Sequence, residues 1–161
     1  MLDVEVRPAV SPEDWAWCGD LWRREWGGEV MVTRGRLHRF QDLQALIAWS
    51  GEERLGLATY RLEGGEAELM SLNAAVEGRG VGTALLRAAE GAAAESDCRR
   101  LWLITTNDNL EALRFYQRRG YRLAALYPGA VDLARQVKPG IPAIGNHGIP
   151  LHDELELEKA L

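Results

Sequence analysis

At 161 residues, with 47% hydrophobic and 27% charged side chains, the chain has the size and composition of one compact globular domain. A formal charge of −5 gives no global basic field, which argues against nucleic acid as the main partner and suits a cationic one. Cys18 and Cys98 lack metal-type spacing, and no stretch approaches the ~20 apolar residues of a membrane span. With no signal-peptide core at the N-terminus either, the expectation is a cytoplasmic protein with no disulfide framework, no metal centre and no membrane partner.

Residues 3–7 alternate and predict a first strand. Ser11-Pro12-Glu13-Asp14 is a helix start, with a serine cap, proline at the first position and acids in the first turn. The helix carries Trp15, Cys18, Trp22 and Trp26 at i, i+3/4 spacing, a stripe that reads as core rather than as a ligand cleft. Gly27-Gly28 ends it. Residues 30–43 show no clear period. They contain Arg34-Gly35-Arg36-Leu37-His38, which reads as a solvated loop rich in hydrogen-bond donors.

Residues 43–49 and 54–62 predict two strands joined by the turn Ser50-Gly51-Glu52-Glu53. Glu63-Gly64-Gly65 then turns into a third strand of the meander, over 66–73. Period-two alternation puts Glu66, Glu68, Met70 and Leu72 on one face of that strand and Ala67, Leu69 and Ser71 on the other. A helix over 80–95 follows, with Leu85, Leu86, Ala89 and Ala93 as its buried stripe. Residues 100–105 are nearly continuously apolar, as in a strand covered on both faces. A helix over 110–119 stops at Gly120, and a strand follows over 121–126. Residues 130–137 form a short helix. The insertion over 128–152 is rich in proline and glycine, and loops of that length in compact domains are usually functional or disordered. Alternation in Glu154-Leu155-Glu156-Leu157-Glu158 predicts a last strand, paired with the one at Tyr121.

Two segments carry chemistry. The first is Leu72-Asn73-Ala74-Ala75-Val76-Glu77-Gly78-Arg79-Gly80-Val81-Gly82-Thr83, a strand that turns through glycines into a helix N-terminus. Such a turn aims several backbone N–H groups and the positive end of the helix dipole at one spot, where an anion can sit. The spacing is one residue too tight for a dinucleotide fingerprint, and no Gly-Lys-Ser/Thr makes it a P-loop. The second is Asn107-Asp108-Asn109-Leu110-Glu111-Ala112-Leu113-Arg114-Phe115-Tyr116, closing with Gly120-Tyr121.

Together these segments resemble the GCN5-related N-acetyltransferase (GNAT) family. The family's Arg/Gln-x-x-Gly-x-Gly/Ala turn maps onto Glu77-Gly78-Arg79-Gly80-Val81-Gly82. Its downstream Asn-x-x-Ala-x-x-x-Tyr-x-x-x-Gly-Phe/Tyr maps onto Asn109, Ala112, Tyr116, Gly120 and Tyr121 without a gap. One position departs: the family's usual Arg or Gln is Glu77 here.

The resemblance implies an α/β (α+β) fold: one domain over 1–161, with a central mixed, mostly antiparallel sheet of about seven strands flanked by helices. It implies acetyl-CoA as acyl donor and a small-molecule or peptide amine as acceptor, on a monomer or homodimer. The pyrophosphate would rest on Gly78, Arg79, Gly80, Val81, Gly82 and Thr83. The pantetheine arm would run beside Leu72 and Ala74, near Asn107 and Asn109. Tyr116 would protonate the departing thiolate, and Glu68, ahead of Glu66, would take the proton of the amine, with His38 as the runner-up. Arg34, Arg36, His38 and Glu66 are the acceptor-side candidates. A CoA-binding sensor without catalysis is the competing reading, and Glu77 leaves room for it. A Rossmann-type nucleotide binder is disfavoured by the glycine spacing and by the antiparallel meander.

Overall fold

The computed structural model describes residues 3–161, which divide into two compact units. The first comprises residues up to 29, 39–101 and 161; the second comprises 30–38 and 102–160.

In the first unit, strands β1 (Glu5–Pro8), β4 (Gln44–Ser50), β5 (Glu53–Glu63) and β6 (Glu66–Ala74) lie side by side in that order, each antiparallel to its neighbour. Helix α1 (Pro12–Trp26) begins as expected. Ser11 Oγ accepts the Asp14 N–H at 3.0 Å, and the Asp14 carboxylate accepts the N–H of Ser11 and of Val10, at 3.3 and 3.1 Å. Gly27 closes the helix at φ 72°, donating its N–H to Arg23 O. The stripe is core: Cys18 and Trp22 are buried, Trp15 and Trp26 half-buried. Cys18 and Leu21 pack with Ala45, Ile47 and Leu57, so α1 covers the β4–β5 face.

Helix α2 (Val81–Glu95) packs on β4, β5 and β6 through Val81, Leu85, Leu86, Ala89 and Ala93, the expected stripe with Val81 added. Burying a leucine such as Leu85 contributes about 1.5–3 kcal/mol, and the alanines let the helix lie close to the strands.

The alternation expected along β6 breaks. Thr59 pairs with Ser71 but Tyr60 pairs with Leu69, so Met70 is an extra residue, a β-bulge. Glu68 faces Arg61 and Ser71 faces Thr59, and residues 59 and 61 share a face of β5. Ser71 therefore joins the face of Glu68, against the period-two reading. Its hydroxyl lies 2.6 Å from that of Thr59.

In the second unit, β7 (Arg100–Thr106, its first two residues belonging to the first unit), β9 (Glu154–Ala160) and β8 (Arg122–Tyr127) are ordered β7-β9-β8, with β8 and β9 antiparallel as expected. Seven mostly antiparallel strands and four helices make up the mixed α/β class that the motifs imply. Helix α3 (Leu110–Arg118) packs on β8, and α4 (Ala130–Val137) packs on β2 (Val30–Thr33).

The stretch read as a loop is instead a hairpin, β2 with β3 (Arg36–Arg39), followed by a 3₁₀ turn over Phe40–Asp42. Its two-residue turn, Arg34-Gly35, has φ 51° and 75°. Two positive φ values are what a tight hairpin turn requires, but asparagine, aspartate or glycine normally supplies the first. Arginine there costs roughly 1–3 kcal/mol of backbone strain. The cost is offset by tertiary contacts: Arg34 N–H donates to Glu154 Oε1 at 2.8 Å, and its guanidinium reaches Glu156 at 3.4 Å.

The insertion is ordered around α4. Arg135 donates to the carbonyls of Ile141, Pro142 and Leu151 at 2.6–3.2 Å, drawing the loop onto the helix.

Asp14 is the buried anion that secures the start of α1. The N–H of Val10, the Arg54 side chain at 2.9 Å and the N–H of Ser11 hold its pKa down to about 2 against the opposing effect of burial. A depressed pKa contributes stability above the unfolded value of about 3.9, and that stability is lost as pH falls through the folded value. Asp14→Asn is therefore expected to unfold at lower denaturant than the parent at neutral pH, with the gap closing as pH falls from about 4 toward 2. An equal gap at both ends of that range would show that packing, not charge, fixes this end of α1.

Candidate functional site

The glycine turn leads directly into the N-terminus of α2. Gly78 and Gly80 both take φ 75°, a conformation that side chains rarely adopt. Nothing lies within 4 Å of where a Cβ would stand at either, so the space above the turn is open. Gly80 caps α2, and the first intrahelical bond runs from Ala84 N–H to Gly80 O at 3.0 Å. The N–H groups of Val81, Gly82 and Thr83 precede that ladder, at the positive end of a fifteen-residue helix. Glu77, Gly78, Arg79 and Gly80 are all exposed. A pyrophosphate fits this chemistry: several amide donors, a helix dipole and open space where side chains at 78 and 80 would stand.

One residue that sequence reading missed sets the position of the turn. Gly56 on β5 sits under the start of α2, where a Cβ would come within 2.7 Å of Asn73 O, 2.8 Å of Val81 Cγ1 and 3.0 Å of Leu85 Cδ1. Its register partner is Ala74, at the end of β6. The signal was a glycine inside an otherwise regular strand pattern, which marks a close approach of another backbone or helix. Leu72 is half-buried and Ala74 exposed on the same stretch of β6, leading into the turn.

The carboxylates of β6 are structural in their contacts. Glu68 is only 1% exposed, and Arg61 Nε and Nη2 converge on its Oε1 at 2.8 and 2.7 Å. A base must reach the proton that it removes, and this carboxylate is committed to its cross-strand neighbour. The geometry therefore does not favour Glu68 as the base. Glu66 lies eight residues before Ala74, about 26 Å along an extended strand. It is held by Arg99 at 2.6 Å and Arg100 at 3.0 Å, which keep its pKa down, Arg100 chiefly. That places Glu66 outside the site, as an ion-pair residue at the far end of β6.

In the second unit, Asn109 caps α3, its side chain accepting the Ala112 N–H at 3.1 Å. Asn107 is also engaged, but with the insertion. Its Nδ2 donates to Pro150 O at 2.8 Å, and its Oδ1 accepts the N–H groups of His152 and Asp153 at 3.1 and 3.0 Å. The Asn107 side chain, a cofactor-binding candidate, is engaged in holding the 128–152 segment. Tyr116 is buried on α3, with edge-on ring contacts to Phe115 and Tyr121. Burial pushes its pKa well above that of an ordinary phenol, so the hydroxyl keeps its proton throughout the neutral range.

His38 is also buried, its ring Nε2 2.9 Å from Thr33 Oγ1 across the hairpin, which makes it part of the hairpin's own packing. Arg36 is exposed on β3. Arg34 lies over the rings of Trp102 and Tyr127, at 5.7 and 5.0 Å from their centroids. Of the acceptor-side candidates, the structure brings Arg34 into a cluster with Trp102, Tyr127, Glu154 and Glu156, none of which the sequence singled out for chemistry.

Comparison with known proteins bears on the family and the fold. A sequence model described as "Acetyltransferase (GNAT) family" matches residues 9–121. Two Bacillus subtilis (strain 168) proteins, the uncharacterized YxbD and YdhI, are 41% and 39% identical over 142 and 143 residues, covering 88% of this chain and 89% of each relative. The crystal structure of a GNAT family acetyltransferase from Elizabethkingia anophelis with acetyl-CoA bound superposes with a TM-score of 0.71 at 18% identity, over 98% of both chains.

The Arg61–Glu68 pair gives a direct test of a structural role. Removing one partner leaves a buried charge uncompensated, so Glu68→Ala is expected to cost about 3 kcal/mol in denaturant unfolding. The double variant with Arg61→Ala should recover part of that loss. A cost below roughly 0.5 kcal/mol would show the carboxylate to be dispensable for stability and reopen a chemical role for it.

Proposed function

The chain belongs to the GNAT family of acetyltransferases, and we propose that it moves an acetyl group from acetyl-CoA to an amine acceptor. The carrying observation is the open turn at Gly78 and Gly80, both at φ 75°, presenting the first N–H groups of α2. In this reading the amides of Gly78, Arg79, Gly80, Val81, Gly82 and Thr83 hold the pyrophosphate. Acetyl-CoA, when bound, supplies a thioester whose carbonyl carbon an amine can attack. Leu72 and Ala74 offer backbone groups to the pantetheine arm, and the Leu72 N–H serves the carbonyl oxygen. Holding both reactants in place accounts for several kcal/mol of the barrier.

Tyr116 is the proton donor to the departing sulfur. Its buried, protonated hydroxyl supports that role, as does its match to the family's tyrosine. A cysteine nucleophile has no support: burial pushes the Cys18 thiol up to about 12, leaving it protonated and inert. A cytoplasmic protein, monomeric or homodimeric, acting on small-molecule or peptide amines, belongs to the same proposal. The free, buried thiols of Cys18 and Cys98 support the reducing setting. Among the described residues, no helix is long and apolar enough to cross a membrane.

Two outcomes follow. Acetyl-CoA at millimolar concentration is expected to give heat in titration calorimetry and to raise the melting temperature. Gly80→Val should abolish both while the protein remains folded; a parent that gives neither signal overturns the cradle. Tyr116→Phe keeps the packing and removes only the hydroxyl, so kcat is expected to fall roughly 10²-fold with the KM for acetyl-CoA little changed. An unchanged kcat would return Tyr116 to the core and leave water as the acid. Binding without turnover on any amine would favour a sensor, the reading to which Glu77 lends support.

A further inference from the structure

Two glutamates on one face of β9 are buried and unequally satisfied. Glu154 and Glu156 stand two residues apart on a strand, so both project to the same side. Both are buried, Glu154 to the point of 3% exposure. Glu156 has a strong partner set: the Arg34 guanidinium at 3.4 Å and the Tyr127 hydroxyl, which donates at 2.9 Å. Glu154 has one hydrogen bond among the described residues, from the Arg34 backbone N–H at 2.8 Å to Oε1. A buried carboxylate normally gathers several donors or a cation. The cation nearest at hand, Arg34, sends its guanidinium to Glu156 and to the two rings instead. Burial raises the pKa of Glu154; the Arg34 N–H and the Arg34 charge oppose this and do not cancel it.

The surroundings suit a second cation. Arg34 on the hairpin, Glu156 on its own strand and Tyr127 on β8 are charged or titratable groups of the Glu154 cluster. An ammonium bound beside Glu154 would supply it with the kind of charge that the Arg34 guanidinium gives to Glu156. The rings of Trp102 and Tyr127 already receive one cation, which shows that their faces are turned to positive charge. The Asn107 N–H donates to Asp153 O at 3.1 Å, which ties the residue before Glu154 to the segment leading into the motif helix α3.

We infer that Glu154 is the acceptor-side base: it binds the ammonium of the incoming amine and takes one proton from it. This assignment rests on the acetyltransferase reading above. In the step, an N–H bond of the ammonium breaks and an O–H bond forms on the Glu154 carboxylate. The electron pair stays on nitrogen, which becomes the neutral nucleophile. Glu154 returns the proton to water after the product leaves. Glu154 performs directly what was expected of Glu68, because Arg61 does not occupy it. The acceptor class follows from the same cluster: a primary amine flanked by apolar or aromatic atoms. An α-amino acid would bring a carboxylate toward Glu156 and is disfavoured.

The test compares the parent with Glu154→Gln and Glu154→Asp. The assay is thiol release from acetyl-CoA with a panel of primary alkylamines and arylalkylamines and their amino-acid counterparts, from mildly acidic to mildly alkaline pH. The parent should prefer the simple amines, and its kcat/KM should fall on the acid side at a pH above the ordinary glutamate value of about 4.3. Glu154→Gln should lower kcat/KM roughly 10²-fold at neutral pH, lose that acid limb and recover partly as pH rises and free amine accumulates. Glu154→Asp should lie between the two. Acetyl-CoA binding by calorimetry should be unchanged in both variants. Parental kcat/KM in Glu154→Gln overturns the assignment. So does a parallel loss of acetyl-CoA binding and melting temperature in both variants, which marks a structural residue. A parent that binds acetyl-CoA but acetylates no amine of the panel overturns it as well. A parent that binds no acetyl-CoA fails the acetyltransferase reading first, and this assignment with it.

Discussion

Helix α2 can start where it does only because residue 56 has no side chain. A Cβ at Gly56 would stand 2.7 Å from Asn73 O and 2.8 Å from Val81 Cγ1, so any other residue would push the helix off β5 or the end of β6 out of register. The consequence reaches the chemistry directly. The residues that follow Ala74 must turn within a few positions to begin a helix over the same strand. That turn needs two left-handed backbone positions, which Gly78 and Gly80 supply. Packing at Gly56, with Val81 and Leu85 buried beside it, thus decides the direction in which the first N–H groups of α2 point. A tightly packed interior transmits small shifts rather than absorbing them, so the glycine turn inherits its placement from the strand beneath.

Buried charge divides the acidic residues into different kinds. Asp14 is fully engaged by two backbone N–H groups and Arg54, and its charge stabilises the fold. Glu68 meets two nitrogens of Arg61 across a strand pair, and Glu66 meets Arg99 and Arg100. Glu156 has Arg34 and Tyr127. Glu154 differs in having a single neutral donor. A buried anion with strong partners gains little by accepting a proton. One with a weak partner set is poised to exchange it. The distinction lies in the partners that tertiary structure delivers; nothing in the side chains themselves separates one glutamate from another.

The same division explains what could be read in advance. The α1 cap, the buried stripe of α2, the helix over 130–137, the β8–β9 pairing and the glycine turn followed, because each depends on residues close in sequence or on a period that one element repeats. The face assignment on β6 did not hold. One bulge at Met70 shifts the phase of a period-two pattern, and no local residue announces it. The hairpin over residues 30–39 was missed because its turn uses arginine at a left-handed position, a choice that local propensity argues against. Contacts with Glu154 and Glu156, 120 and 122 residues away, make it tenable.

Sequence alone therefore determined the family, most of the elements and the glycine turn at the start of α2. Those rest on glycines at fixed spacing and on helical and strand periods, which are local properties of a chain. Tertiary structure alone decided the work of the polar side chains. It assigned Glu68 to Arg61, Asn107 to the 128–152 segment and His38 to Thr33, and left Glu154 with one donor. A carboxylate or an amide becomes a structural or a chemical group according to which donors, charges and apolar surfaces surround it once it is buried. Those neighbours come from distant parts of the chain, and only folding brings them together.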